Sequence, residues 1–291
     1  TGPSGTGPAA RVSAGGRTVA IPSPADRDGP GWLGLRRVSA DAGGRTLGLL
    51  VDDVDPYRFP PGLPVASRLG AGALEGLRGS LGAAWRLLAR HHPAIAGEIG
   101  ALLTTVTPLS ADPAGHTSAT AREAFGCVAF SVPMDARQLA VTLAHEVQHA
   151  KLTALMDALP LLPDTGGGRR YYAPWRPDPR PLAGLLHGTY AFLGVAGFWR
   201  GQRRHERGER AFLAHVEFAR WRSAVRTGLD QLLEEPALPP LGARFARGMR
   251  GTLDSWSAEP VPEAAERAAA HALAEHRAAW ARANGALPVG A

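Results

Sequence analysis

Two histidines four residues apart, with a glutamate after the first, form the stretch of this chain best suited to chemistry. They are His145-Glu146-Val147-Gln148-His149, within VTLAHEVQHAKL at residues 141–152. On a helix, side chains four apart are neighbours, with Cβ atoms about 5–6 Å from each other. Two imidazoles so placed can converge on one metal ion at about 2.0–2.1 Å. Such a pair needs a third ligand, and His187, His205, Glu206, Glu209, His215 and Glu217 are the downstream candidates. His187 leads. It lies in PLAGLLHGTYAFLGVAGFW, where Gly184, Gly188, Ala191 and Gly194 let a partner approach closely. A hydrogen-bonded core histidine is the other reading of that position. The charged string HERGER, 205–210, reads as a solvated helix start and ranks second. Glu146 has two possible roles. In a peptidase it is the general base for a metal-bound water; elsewhere it hydrogen-bonds a ligand or an ordered water.

Between these histidines runs PDTGGGRRYYAPWRPDPRP, residues 163–181. A connector of this length without regular structure points to function or to disorder. Tyr171, Tyr172 and Trp175 need burial, which favours order. Arg169, Arg170, Arg176 and Arg180 add planar forks that match a carboxylate with paired hydrogen bonds. A small acid bound beside the metal suits this composition; a surface loop with its charges in water is the alternative.

The elements that must position these residues can be read in outline. Asp135 stands three before Gln138, an arrangement that caps a helix start, and Pro160 ends the helix, so the two histidines fall in its middle. Upstream, Thr18–Ile21 is one short strand in a tail. WLGLRRVS (32–39) and RTLGLLVD (45–52) read as an antiparallel hairpin across ADAGG. Leu74, Leu77, Leu81, Trp85 and Leu88 predict a helix from Ala71 to about His92. Strands follow at 102–109 and 125–133, then helices at about 181–200, 205–234, 241–256 and 262–283. Cys127 reads as a small core residue on a strand, His91-His92 as a solvated helix end, and His271 and His276 as packing or solvent positions. The expected fold is α+β, mostly helical with a small antiparallel sheet, and the H-E-x-x-H on a long central helix. Residues 1–30 are expected to be a flexible tail or linker and 31–291 a single domain.

Bulk properties narrow the class. An apolar fraction of 45% in 291 residues supplies a real core. The formal charge of +6 comes almost wholly from arginine, Lys151 being the one lysine, and acids are interspersed, so no nucleic-acid stripe is expected. No unbroken apolar run appears long enough to span a bilayer, so no membrane is expected. One cysteine fits a reducing cytoplasm. The Thr1 start and the Gly/Pro/Ser-rich opening fit a piece of a longer polypeptide.

Together, AVTLAHEVQHAKLTAL and YYAPWRPDPRPLAGLLHGTYAF resemble the 2-oxoglutarate-dependent HExxH-type peptide β-hydroxylases. These act in ribosomally made peptide pathways, alone or fused behind cyclophane-forming radical-SAM maturases. The resemblance runs from about Trp32 to about residue 235 and is densest at 141–200. It implies an Fe(II) centre with His145 and His149 as ligands and His187, by its place in the LHG motif, as the third. It departs from the more widespread oxygenases, which carry a carboxylate ligand. 2-Oxoglutarate would occupy two metal positions. Its far carboxylate would go to Arg176 or, second, Arg180, with a hydroxyl hydrogen bond from Tyr172. The implied activity is hydroxylation of a side-chain β-carbon in a precursor peptide, with a radical-SAM maturase as a possible partner. An HExxH zinc metallopeptidase and a catalytically silent peptide-binding domain are the competing readings.

Overall fold

A computed structural model of the chain describes residues 10–59, 62–111, 115–163 and 168–285. The first nine residues of the expected tail, and 164–167 of the connector, lie outside the described residues. The chain divides into two compact units, Thr1–Leu143 and Ala144–Ala291.

Two Gly-Gly pairs shape the start of the first unit. β1 (Ala10–Ala14) and β2 (Arg17–Ile21) join through Gly15-Gly16, and β3 (Arg36–Ala42) and β4 (Arg45–Val51) through Gly43-Gly44. All four glycines have positive φ, between 56° and 74°, as the two-residue hairpin turn demands. Both hairpins are antiparallel, with Ala42 opposite Arg45 in the second. The expected hairpin across ADAGG is therefore present, although its first strand begins at Arg36, after WLGL. The Thr18–Ile21 strand gains β1 as an antiparallel partner, with Val12 opposite Val19.

Three more strands, β5 (Thr105–Leu109), β6 (Ser118–Thr120) and β7 (Cys127–Ser131), complete a five-stranded sheet in the order β3-β4-β5-β7-β6. The sheet is mixed rather than purely antiparallel, because β4–β5 and β5–β7 run parallel. Helices α1 (Ala71–His91) and α2 (Pro93–Leu102) intervene between β4 and β5, and a crossover of that length returns a strand in the same direction. α1 buries the predicted stripe of Leu74, Leu77, Leu81, Trp85 and Leu88. The Trp85 indole N–H donates to the Arg45 carbonyl at 3.1 Å. α2 was not anticipated; Pro93 at its first position starts it. His92, between the two helices, is buried rather than solvated. Cys127 is buried as expected, beside Thr107, and burial raises its thiol pKa.

The boundary between the units falls within α3 (Ala136–Ala158). Asp135 accepts hydrogen bonds from the backbone N–H groups of Arg137 and Gln138, at 2.9 and 3.1 Å, and so caps its start. The second unit continues with α4 (Leu182–Gln202), α5 (Gly208–Leu233), α6 (Pro240–Asp254) and α7 (Glu263–Asn284), close to the predicted spans. α4 is central. Leu185, Leu186, Ala191, Val195 and Phe198 point to different sides of it and all are buried. A helix surrounded in this way is apolar all round. Among the described residues it is the one helix long and apolar enough to cross a membrane, which corrects the expectation that none would be; most of it is buried inside the protein.

Candidate metal centre

His145 and His149 project from successive turns of α3, with their Nε2 atoms 3.1 Å apart and ring centroids 4.8 Å apart. Two nitrogens on one ion at about 2.0–2.1 Å, with angles near 90–110°, stand about 2.9–3.4 Å from each other. That pair fits an ion. His187, from α4, lies against the far side of His149, its Nδ1 3.5 Å from the His149 Nδ1. The two rings stack at 5.6 Å. His149 thus presents one nitrogen to His145 and the other to His187. In this arrangement three nitrogens do not converge on one point. Among the described residues, no group of three or more His, Cys, Asp or Glu is arranged to hold a metal ion. Completing the set requires the His187 ring to turn towards the position shared by the α3 pair.

Burial governs the charge of these rings. Desolvation pulls His145 and His149 down to about 4, with the neighbouring imidazoles adding to the effect at His149 and Glu146 opposing it. His187 is lowered by burial too. All three are neutral near pH 7, the form in which imidazole binds metal. Glu146 places Oε1 4.0 Å from the His145 Nε2, with its side chain only 2% exposed.

The connector is closed at its base. Tyr171 and Arg180 exchange backbone hydrogen bonds at 2.8 and 2.9 Å. Gln231, on α5, bonds both backbone groups of Tyr172, accepting from its N–H at 3.2 Å and donating to its carbonyl at 2.8 Å. The Tyr171 hydroxyl donates to the Glu235 carboxylate. Tyr172 is turned to α7: its hydroxyl pairs with His276 Nδ1 at 3.0 Å, and Trp280 meets its ring edge-on. The structure does not bring that hydroxyl to the histidines, and His276 has a partner in the connector that its sequence context did not suggest.

Arg176 and Arg180 share one carboxylate. Asp178 accepts from Arg176 Nε at 2.9 Å and from Arg180 Nη1 at 3.0 Å. The Arg176 side chain is 51% exposed and the Arg180 side chain 34%. Arg180 lies along α4, its Nε 3.0 Å from where a Cβ on Gly184 would stand, one helical turn before His187. Of the two arginines, it is the one carried to the helix of the third histidine.

Trp175, at the tip of the connector, occupies the space that side chains at Gly188 and Gly228 would fill. A methyl on Gly188 would stand 2.3 Å from its Nε1 and one on Gly228 3.1 Å from its Cη2. Its indole stacks on Phe192 at 5.0 Å, Phe192 stacks on Trp221 at 4.2 Å, and Phe192 meets the His145 ring edge-on at 4.8 Å. The glycines read as helix-packing positions thus divide their roles. Gly188 admits an indole and Gly184 a guanidinium, while Gly194 receives Gln148 of α3. Phe192 and Trp221 were not anticipated, since an aromatic residue in a helix carries no mark of what it stacks on. Three of the other ligand candidates have partners of their own. Glu206 accepts from Gln202 at 2.8 Å, His215 faces Arg203, and Glu217 accepts from the Trp221 indole at 2.6 Å.

No known protein family and no curated protein matches the sequence.

Proposed function

We propose that the second unit houses a non-haem Fe(II) centre which, with 2-oxoglutarate, hydroxylates a side-chain β-carbon of a ribosomally made precursor peptide. The observation that carries the reading is the α3 pair, two neutral imidazoles with Nε2 atoms 3.1 Å apart and a third imidazole on α4 beside them. His145 and His149 would hold the iron, with His187 completing the set once its ring turns. Iron with 2-oxoglutarate and O₂ supplies the oxidising power that no side chain offers. The chain's own part is to keep three imidazoles uncharged, shield them from water and bind the acid.

For the far carboxylate, the structural position favours Arg180 over Arg176, the reverse of the order expected from sequence. Arg180 is the less exposed and lies one turn from His187 on α4. The incoming carboxylate would replace or share Asp178 as its partner. Tyr172 is set aside from this role by its bond to His276. The precursor peptide, a radical-SAM companion and a cytoplasmic setting belong to the same proposal.

One observation favours a second reading. The buried Glu146 carboxylate, 4.0 Å from the His145 Nε2, stands where a zinc peptidase keeps its general base.

The two readings give different products. Anaerobic protein supplied with Fe(II), 2-oxoglutarate, a candidate precursor peptide and then O₂ is expected to release succinate and add one oxygen atom to the peptide. Peptide cleavage with Zn(II), and no succinate with Fe(II), overturns the proposal in favour of hydrolysis. Arg180→Ala is expected to weaken 2-oxoglutarate binding, read by calorimetry, by roughly 1.5–3 kcal/mol, the value of a charge-assisted hydrogen bond.

A further inference from the structure

A histidine that binds metal commonly has its ring held by a hydrogen bond from the nitrogen that faces away from the ion. His145 directs Nε2 towards His149. Its ring is held instead by aromatic packing: Phe192 meets it edge-on at 4.8 Å with planes 70° apart. Phe192 is itself clamped by stacking on Trp221 and on Trp175.

Trp175 comes from outside these helices. The connector delivers it against Gly188 on α4, where a Cβ would collide with the indole, and near Gly228 on α5, where a Cβ would meet Thr189 Oγ1 at 2.5 Å and then the indole at 3.1 Å. The segment that carries it is tied at several points. Gln231 holds the Tyr172 backbone, His276 takes the Tyr172 hydroxyl, and Asn284 donates to the Pro177 carbonyl at 2.8 Å.

We propose that Trp175 is a positioning residue for the metal centre, acting through Phe192 to set the ring plane of His145 and so coupling the connector to the ligand geometry. This rests on the reading of His145 as a metal ligand. Trp175 touches neither ion nor substrate in this role.

Cobalt(II) titration of the metal-free protein, followed by visible absorption, tests the proposal without any turnover. Wild-type protein is expected to give a ligand-field spectrum that His145→Ala abolishes. Trp175→Leu, which keeps apolar volume but cannot stack, is expected to lower cobalt affinity severalfold, below the roughly 10–100-fold that losing a ligand's own hydrogen-bond partner costs, and to shift the bands. Trp175→Phe should restore most of both. Gly188→Ala, which leaves Trp175 in the chain but fills its slot, should reproduce the Leu variant. A merely structural role would affect Phe and Leu variants alike and leave the bands in place. Folded Trp175→Leu and Gly188→Ala proteins with wild-type affinity and spectrum overturn the proposal alone. Wild-type protein that takes up no cobalt through His145 overturns it together with the function above.

Discussion

Burial decides what His145 and His149 can do. Both rings titrate near 6.5 in an unfolded chain and near 4 in the folded one, because the apolar surroundings penalise the imidazolium. Between those values the unfolded state binds more protons. The stabilisation is therefore complete above about pH 6.5 and is lost as the pH falls towards 4. The urea midpoint of the metal-free protein should accordingly drop between pH 7.5 and 5, by an amount equivalent to a few kcal/mol for the pair. In His149→Gln the drop should be shallower; an unchanged slope would contradict the burial argument. At this scale the H-E-x-x-H spacing was legible, since four residues on a helix bring two rings together whatever surrounds them. The ring orientation of His187 was not, because a side-chain torsion responds to neighbours that are distant in sequence.

Among the elements, helix limits were the most readable. Pro160 marks the stop of α3, and the apolar spacing of α1 names its buried face. The glycines show the opposite case. On α6, Gly242 and Gly248 look alike in sequence, yet a methyl on Gly242 would stand 2.1 Å from the Leu161 carbonyl oxygen, while one on Gly248 meets nothing within 4 Å. Gly242→Ala is expected to destabilise by about 3 kcal/mol or more, because a backbone atom must give way. Gly248→Ala should stabilise by about 0.5–1 kcal/mol through helix propensity alone. Thermal melts of the two variants should move in opposite directions, and a shared direction would mean that α6 packs otherwise. Parallel pairing in the sheet was likewise beyond reading strand by strand. The predicted helix α1 already separates β4 from β5, but which strands β5 joins, and that it pairs in parallel with both β4 and β7, is settled by packing between elements.

For the molecule as a whole, 32 basic against 26 acidic side chains leave a net charge of +6, yet many arginines are tied within their own unit. In the first unit, buried Asp53 accepts from Arg36, Arg68 and the Leu69 backbone. In the second, Glu259 gathers Arg200, Arg203 and Arg204; burial pushes its carboxyl up, but Arg200 and Arg203 hold it below the usual range. Arg203 is itself buried and also donates to the Pro260 carbonyl at 2.7 Å. Glu259→Gln would leave a buried guanidinium without its counter-ion, at a cost of roughly 3 kcal/mol. A lowered denaturation midpoint should show this, and the loss should persist in 0.5 M salt, because a buried pair is poorly screened. A midpoint that salt restores would instead mark the cluster as a surface network.

The long helices α1 and α3 to α7, the buried stripe of α1, the hairpin across ADAGG and the α3 histidine pair are determined by sequence alone. Each depends on backbone preference or on a spacing of a few residues, and those interactions are complete within one element. Tertiary structure decided which arginine accompanies His187, that Tyr172 belongs to α7, and that an indole from the connector rests on the ring beside His145. These are contacts between side chains many positions apart, chosen by competition for space and for partners, and no local pattern records the outcome of that competition.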